Sequence, residues 1–401
     1  MLNSKNKIIF YLTFLVILLG NQLKAQILTI PSPPVIGAKS YLLIDATTNH
    51  TIASLDPDLK LPPASITKLM TAYVVFHALN NDQISLTDLV TVSEKAWRAE
   101  GSRMFIEVGK KVSVENLLMG MIVQSGNDAS IALAEHIAGT EMFFSDLMNQ
   151  YAQQLKMTNS YFMNASGLPD ENHYSTANDL AILAKAIINE FPKFYELYST
   201  KEFTYNNIKQ PNRNSLLWRD PSVDGVKTGS TSEAGYSLVS SAKRNEMRII
   251  SVVLGTASSK ARIDGSQALL NFGYRFYVTE TLLNSNDEFI SVKTWKTEKD
   301  SIALAVENNY ITTLPKGSSK RIEYIKDLPE FIEGPITKGQ RIGNLDIQLD
   351  GEILKTVALV ALENNPNGSL IKQIQDTSRD PQMSLIKTTQ PNLPKCNYDC
   401  I

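Results

Sequence analysis

Apolar residues recur along the chain in two different rhythms. In TKLMTAYVVFHAL the apolar positions Leu69, Met70, Ala72, Tyr73, Val74, Val75, Phe76 and Leu79 reach nearly every side of a helix, which predicts a helix buried all round. VENLLMGMIV, ASIALAEHIAG and FFSDLMNQYAQQL also carry helical spacing, whereas SYLLIDA and TIASL read as a hairpin. YSLVSSAK and MRIISVVLG read as two more strands, followed by a helix over SQALLNFGYRFY. Strands at both ends of a helical middle predict an α+β fold. After about Asn284 the rhythm shortens: ISVKTW, SIALAVE, YITTL, RIEYI, LDIQL and LKTVALVAL alternate with turn residues, the pattern of a small all-β domain. Within it Leu345, Ile347 and Leu349 alternate with Asp346 and Gln348, and Asp350-Gly351 supplies a hairpin turn before Glu352-Ile353-Leu354.

The ends of the chain follow neither rhythm. Lys5 and Lys7 precede the apolar run IIFYLTFLVILLG, and LKA follows with a small residue, Ala25, at the expected cut. This predicts a signal peptide over residues 1–25 and an exported, periplasmic protein, with an uncleaved anchor as the alternative. The remaining length divides into a large domain over 26–280, the β-rich domain over 284–365, and a polar, proline-punctuated tail over 366–401 with at most one short helix. Against 41 Asp and Glu stand 39 Lys and Arg, a formal charge of −2, so nothing draws the chain toward nucleic acid. No zinc-type spacing and no phosphate-cradling glycine loop is found, and no metal or cofactor is expected. Cys396 and Cys400, the only cysteines, lie in the tail, where they pair locally or stay free. His50, His77, His136 and His173 read as structural. Of these His173, in NHYSTANDLA with Asp179, is the one expected to shape a neighbouring site through loop packing. Met119 and Met121 read as core.

Three short stretches carry chemistry. In PPASITKLM, Ser65 and Lys68 are spaced to meet on one face at the start of the buried helix, with the prolines at or before its first turn. A serine hydroxyl needs a base to become a nucleophile, and a lysine becomes one only when burial or a neighbouring cation lowers its pKa. Free N–H groups at the helix start would also favour an anion beside Ser65. Ser125-Gly126-Asn127 falls in a turn between two helices, where Gly126 permits a tight backbone and a hydroxyl and an amide can enter one cleft. Lys227-Thr228-Gly229 leads into a strand, and lysine, hydroxyl and glycine on a strand edge suit an anionic, extended peptide.

The three in this order are the motif set of serine β-lactamases and penicillin-binding proteins. The segments PPASITKLMTAYVV, EGSRMFIEVG, QSGNDASIALAEHIAG, NASGLPDENHYSTANDLA, QPNRNSLLW, VDGVKTGSTSEAGYSLVSSA and RIISVVLG resemble the low-molecular-mass D-alanyl-D-alanine carboxypeptidases of the penicillin-binding protein 5 type, from about Pro33 to Asn365. The resemblance implies a β-lactamase/DD-peptidase-like domain, an antiparallel sheet with a helical cluster, followed by the small all-β domain. It implies Ser65 as the acylated nucleophile and Lys68 as its base. Ser125 would relay a proton toward the leaving amine, and Asn127 would bind substrate and orient Lys68. Lys227, Thr228 and Gly229 would contact the substrate, and Arg213 in PNRN would receive its terminal carboxylate. The backbone N–H groups of Ser65 and Ser230 would form the oxyanion hole. The family usually has histidine where this chain has Ser230, a departure that bears on rate and substrate preference.

The activity so implied is removal of the terminal D-alanine from peptidoglycan stem peptides ending in D-Ala-D-Ala, with β-lactams as covalent inhibitors. A β-lactamase, a DD-endopeptidase and a non-catalytic peptidoglycan-binding protein are the alternatives. The ExxxN-like loop of class A β-lactamases finds only Glu171 here, with Ser175 in the place of its asparagine. Family members often end in an amphipathic membrane-surface helix. The few apolar residues of the tail make that anchor doubtful and leave peripheral inner-membrane contact open.

Overall fold

The structure is a computed structural model and describes residues 30–330 and 332–378. The expected signal peptide, Cys396, Cys400 and the end of the tail lie outside the described residues.

The peptidase part is built on a five-stranded antiparallel sheet. Its strand order is Thr51–Leu55, Ser40–Asp45, Met247–Thr256, Gly235–Arg244 and Val223–Thr231. SYLLID and TIASL form the expected hairpin, with Tyr41 opposite Leu55. The last strand, which carries KTG, is an edge with one side unpaired within its sheet. Between the two ends of this sheet in the chain lie the helices Lys68–Asn80, Val114–Val123, Asn127–Ala138, Glu141–Gln154 and Ala177–Glu190. Side chains of Ser113, Thr140 and Thr176 cap three of them by accepting from the backbone N–H three residues on. The Lys68–Asn80 helix is the one with apolar residues on every side, and it lies at the centre: Leu69, Met70, Ala72, Val75 and Phe76 are wholly buried. The helix Ser259–Phe276 covers the sheet, with Leu269 and Leu270 inside.

The β-rich part holds a second five-stranded sheet, ordered Ile290–Lys293, Ser301–Val306, Glu352–Ala361, Arg341–Leu349 and Ile322–Asp327. Leu349 pairs with Glu352 across Asp350-Gly351, both with positive φ, the two-residue hairpin that the turn signal predicts. A separate pair, Tyr277–Leu283 with Tyr310–Pro315, leads out of the long helix. It meets the peptidase sheet at Asp45: this buried carboxylate accepts hydrogen bonds from Thr279 Oγ1, from Thr313 Oγ1 at 2.7 Å and from the Thr47 N–H at 2.8 Å. The segment read as the start of a polar tail is tied down, because Glu298 N–H donates to Pro366 O and Gly368 N–H to Lys296 O, both at 2.8 Å. One short helix, Leu370–Ser378, follows, with Leu370, Ile371 and Ile374 exposed.

Candidate active site

The stretch SITK is not one helix. Ala64–Thr67 forms a 3₁₀ turn and the α-helix begins at Lys68, so Ser65 and Lys68 sit on either side of a junction where one continuous helix was expected. The reason lies at Ala64, which is buried and holds φ +48°, a conformation that an α-helical first turn does not contain. Gly167 rests against it with φ +81°; a Cβ there would stand 1.9 Å from Ala64 O. Tertiary packing therefore sets the turn that aims Ser65.

Lys68 is 1% exposed, and its Nζ has three partners: Ser65 Oγ at 3.0 Å, Asn127 Oδ1 at 2.7 Å and Ser166 O at 2.6 Å. Burial lowers its pKa to about 7, against the opposing pull of Asp128 and Glu141. The two oxygens of Asn127 and Ser166 can only accept. A neutral amine has two hydrogens and one lone pair, so when both hydrogens serve these acceptors the lone pair is left for the Ser65 hydroxyl. The Asn127 amide is itself fixed, since its Nδ2 donates to Glu100 O at 2.5 Å.

The opposite wall is SGN. Ser125 lies between two helices as expected, but the residue with positive φ is Ser125 itself, at +65°, while Gly126 is at −61°. Glycine is needed at 126 for space: a Cβ would come 2.7 Å from Asp128 Oδ1 and 3.2 Å from Met104 N. The buried Asp128 carboxylate accepts from the backbone N–H of Met104, Phe105 and Ile106, which folds the segment after Gly101 over the start of this helix.

KTG forms the third side. Lys227 is 2% exposed, and its amine donates to Ser125 Oγ at 2.7 Å and to Thr228 O at 3.1 Å. Burial, followed by the charges of Lys68, Arg262 and Arg213, holds its pKa well below the usual lysine range. Gly229 lets the strand meet the SITK turn, for a Cβ there would lie 2.8 Å from Pro63 O. The side chain of Ser230 is exposed on the edge strand. Arg213 is exposed too, close enough for its charge to act on Lys227 and Arg262. The structure thus gathers Ser65, Lys68, Ser125, Asn127, Lys227, Thr228 and Gly229 into one cleft, with Arg213 and Ser230 at its rim.

Other participants have no counterpart in the sequence reading: Ser166, through its carbonyl, Gly167, Asp128 and Arg262. Arg262 is buried and donates to Gly229 O at 3.1 Å beneath the KTG strand. Ser166 and Gly167 belong to NASGLPDENHYSTANDLA, quoted for its resemblance, but a carbonyl acceptor has no residue-type signature. His173 touches the SITK turn directly, where its Nε2 and Thr67 Oγ1 share a hydrogen bond of 2.9 Å. Glu171 is exposed, and Ser175, at the second position of the ExxxN comparison, is buried.

Residues 27–258 match the family model of D-alanyl-D-alanine carboxypeptidase, and residues 277–367 match that of the penicillin-binding protein 5 C-terminal domain. The chain belongs to the D-alanyl-D-alanine carboxypeptidase family. It is 41% identical over 351 residues to D-alanyl-D-alanine carboxypeptidase DacC of Escherichia coli K12, covering 86% of this chain and 88% of that one. Penicillin-binding protein 5 from Haemophilus influenzae superposes with a TM-score of 0.75 at 40% identity, covering 84% of this chain and all of the other. Penicillin-binding protein D2 from Listeria monocytogenes, solved in an ampicillin-bound form, is 29% identical with a TM-score of 0.56 over 60% of this chain. As a carboxypeptidase of the penicillin-binding protein 5 type, the molecule is a serine peptidase with a mixed peptidase domain and a C-terminal β domain. For a DD-carboxypeptidase, a cleft between a hydroxyl–amine pair and a free strand edge has the layout that acyl transfer from an extended peptide needs.

Proposed function

We propose that this DD-carboxypeptidase removes the terminal D-alanine of peptidoglycan stem peptides through an acyl-enzyme on Ser65. The observation that carries the assignment is the Lys68 amine, dry, 3.0 Å from Ser65 Oγ and committed to two obligate acceptors on its other sides. Neutral Lys68 takes the Ser65 proton as Oγ bonds to the carbonyl carbon of the penultimate D-alanine. The backbone N–H groups of Ser65 and Ser230 receive the oxyanion. When the C–N bond breaks, the proton passes to the leaving amine through Ser125, whose oxygen is held by Lys227 and whose own O–H is left to donate. Water then attacks the ester, Lys68 takes its proton, and the acid is released with Ser65 restored.

The substrate lies along the KTG edge strand, with its terminal carboxylate toward Arg213 and Thr228. A β-lactam carries an amide in the same position and acylates Ser65 as well. The exported, periplasmic location rests on the N-terminal sequence. Exposed Leu370, Ile371 and Ile374 on the last described helix support peripheral contact with a membrane surface. Among the described residues no helix is long and apolar enough to cross a membrane.

The test is D-alanine release from diacetyl-L-Lys-D-Ala-D-Ala by the purified chain, with Ser65→Ala in parallel. Release by the wild type and none by the variant is expected. Equal release by both would remove Ser65 from the mechanism.

A further inference from the structure

The helix Glu141–Gln154 opens with a carboxylate that is turned inward. In a first turn an acid usually serves the free N–H groups of its own helix. Glu141 is 8% exposed, and its oxygens are committed elsewhere: Oε2 pairs with Lys95 Nζ at 2.7 Å and Oε1 accepts from the Ala165 N–H at 2.9 Å. About two turns along the same helix, Asn149 Oδ1 accepts from the Phe162 N–H and Nδ2 donates to Phe162 O, both at 2.8 Å. The helix thus grips the 162–165 segment at both ends.

From the central helix Thr71 Oγ1 donates to Ala165 O at 2.6 Å. The next carbonyl is that of Ser166, which receives Lys68 Nζ, and the next residue is Gly167, which rests against Ala64. Asn164 Oδ1 closes the segment on itself by accepting from the N–H groups of Ser166, Gly167 and Leu168. The residue anchored by Glu141 and the carbonyl that holds the base are therefore neighbours in the chain.

A neutral amide would satisfy the Ala165 N–H at a smaller cost of burial than a carboxylate. What the carboxylate adds is charge. That charge opposes the effect of burial on Lys68, as does the charge of Asp128. Asp128 is spent on the backbone N–H groups of Met104, Phe105 and Ile106, whereas Glu141 binds the segment that ends on Lys68. Lys227 and His173 are the other titratable groups on which the Lys68 charge acts.

We infer that Glu141 is a positioning residue for acylation: its carboxylate holds Ala165 so that the Ser166 carbonyl meets Lys68 Nζ, and its charge steadies the ammonium formed when Lys68 takes the Ser65 proton. The inference rests on the Ser65–Lys68 reading above.

The test is the pH profile, between about pH 5 and 9, of the second-order rate constant for acylation by benzylpenicillin. It is measured for the wild type, Glu141→Gln and Glu141→Leu, each with a thermal melt. Glutamine keeps an acceptor for Ala165 and removes the charge, so the Lys68 ammonium is held less well. The midpoint of the rise should move about 0.5 unit to lower pH, with the plateau within about fivefold of wild type. Leucine removes both, and its plateau should fall about 30-fold or more in a protein that still melts cooperatively. A Glu141→Leu plateau within about threefold of wild type, or a Glu141→Gln midpoint that stays or moves to higher pH, would overturn the positioning role and leave Lys68 as the base. Where Glu141→Leu does not fold, the direction of the Glu141→Gln midpoint decides. A wild-type profile with no rise near pH 7 would overturn the Lys68 reading and the inference with it.

Discussion

In the catalytic cleft two lysines are buried side by side, and no carboxylate among the described residues forms an ion pair with either; their contacts are hydroxyls, a carboxamide and carbonyls. In the C-terminal β domain the lysines stay at the surface, and two of them are paired, Lys296 with Glu333 at 2.9 Å and Lys299 with Glu363 at 2.5 Å. What that domain buries is uncharged: Thr297 Oγ1 donates to Thr294 Oγ1 at 2.7 Å, and Asn365 Nδ2 to the same oxygen at 3.1 Å. A buried, unpaired charge is costly enough that the group gives up its proton instead, whereas an exposed pair costs and contributes little. The difference separates a region organised for proton transfer from one organised for shape. The first accepts a penalty that the second avoids.

The largest effect expected from breaking this contrast is at Lys68. Lys68→Met keeps most of the length of the side chain, removes the buried amine and should slow penicillin acylation by a factor on the order of 10⁴ or more. The fold should persist at a cost of about 1–3 kcal/mol, because the apolar chain fills the buried site but leaves Asn127 Oδ1 and Ser166 O without their donor. A stopped-flow or quenched acylation assay together with a thermal melt separates the two consequences; a variant that still acylates at near wild-type rate would dissolve the distinction between the regions.

Next is Gly167→Ala, which adds a methyl where Ala64 O stands at 1.9 Å. It must displace the turn bearing Ser65 and is expected to lower the acylation rate about 10²-fold, with Lys68, Asn127 and Lys227 all intact. An unchanged rate would mean that this backbone contact does not position the nucleophile.

Smallest for chemistry is Asn365→Ala in the β domain. It leaves the Lys299 N–H without its acceptor, removes the Asn365 donor from Thr294 Oγ1 and Lys299 O, which keep their threonine partners, and should cost that domain about 1–3 kcal/mol in a denaturation curve, while acylation stays within twofold. A matching loss of acylation would show that the two regions are energetically one.

The side chains of the cleft could be read in the sequence because their chemistry requires particular residue types: a hydroxyl and an amine three residues apart, a carboxamide, and a lysine before a small residue on a strand. Their supports were hidden for physical reasons. Ser166 acts through a carbonyl that any residue carries, and the positive φ of Ala64 and Ser125 falls on residues with no preference for it, imposed by packing at a cost of about 1–2 kcal/mol each. The break between the 3₁₀ turn and the helix follows from Ala64, so it was hidden with it. That Lys227 is buried against Ser125 was hidden too, because its motif says nothing of the helix junction that covers it. In the β domain the Asp350-Gly351 turn announced its hairpin through residue type, whereas the hold of Lys296–Glu298 on Pro366 and Gly368 is made of backbone bonds and leaves no pattern.

The central claim, that a dry cleft keeps Lys68 neutral so that it can take the Ser65 proton, is tested most directly by the pH dependence of the second-order rate constant for penicillin acylation, which reports the free enzyme. Lys68 loses its proton as pH rises through about 7 and is the base only in its neutral form. The rate constant should therefore climb about tenfold per pH unit below that value and level off above it. A profile flat from pH 5 to 9, or one that climbs only near the ordinary lysine value of 10.5, would contradict the account.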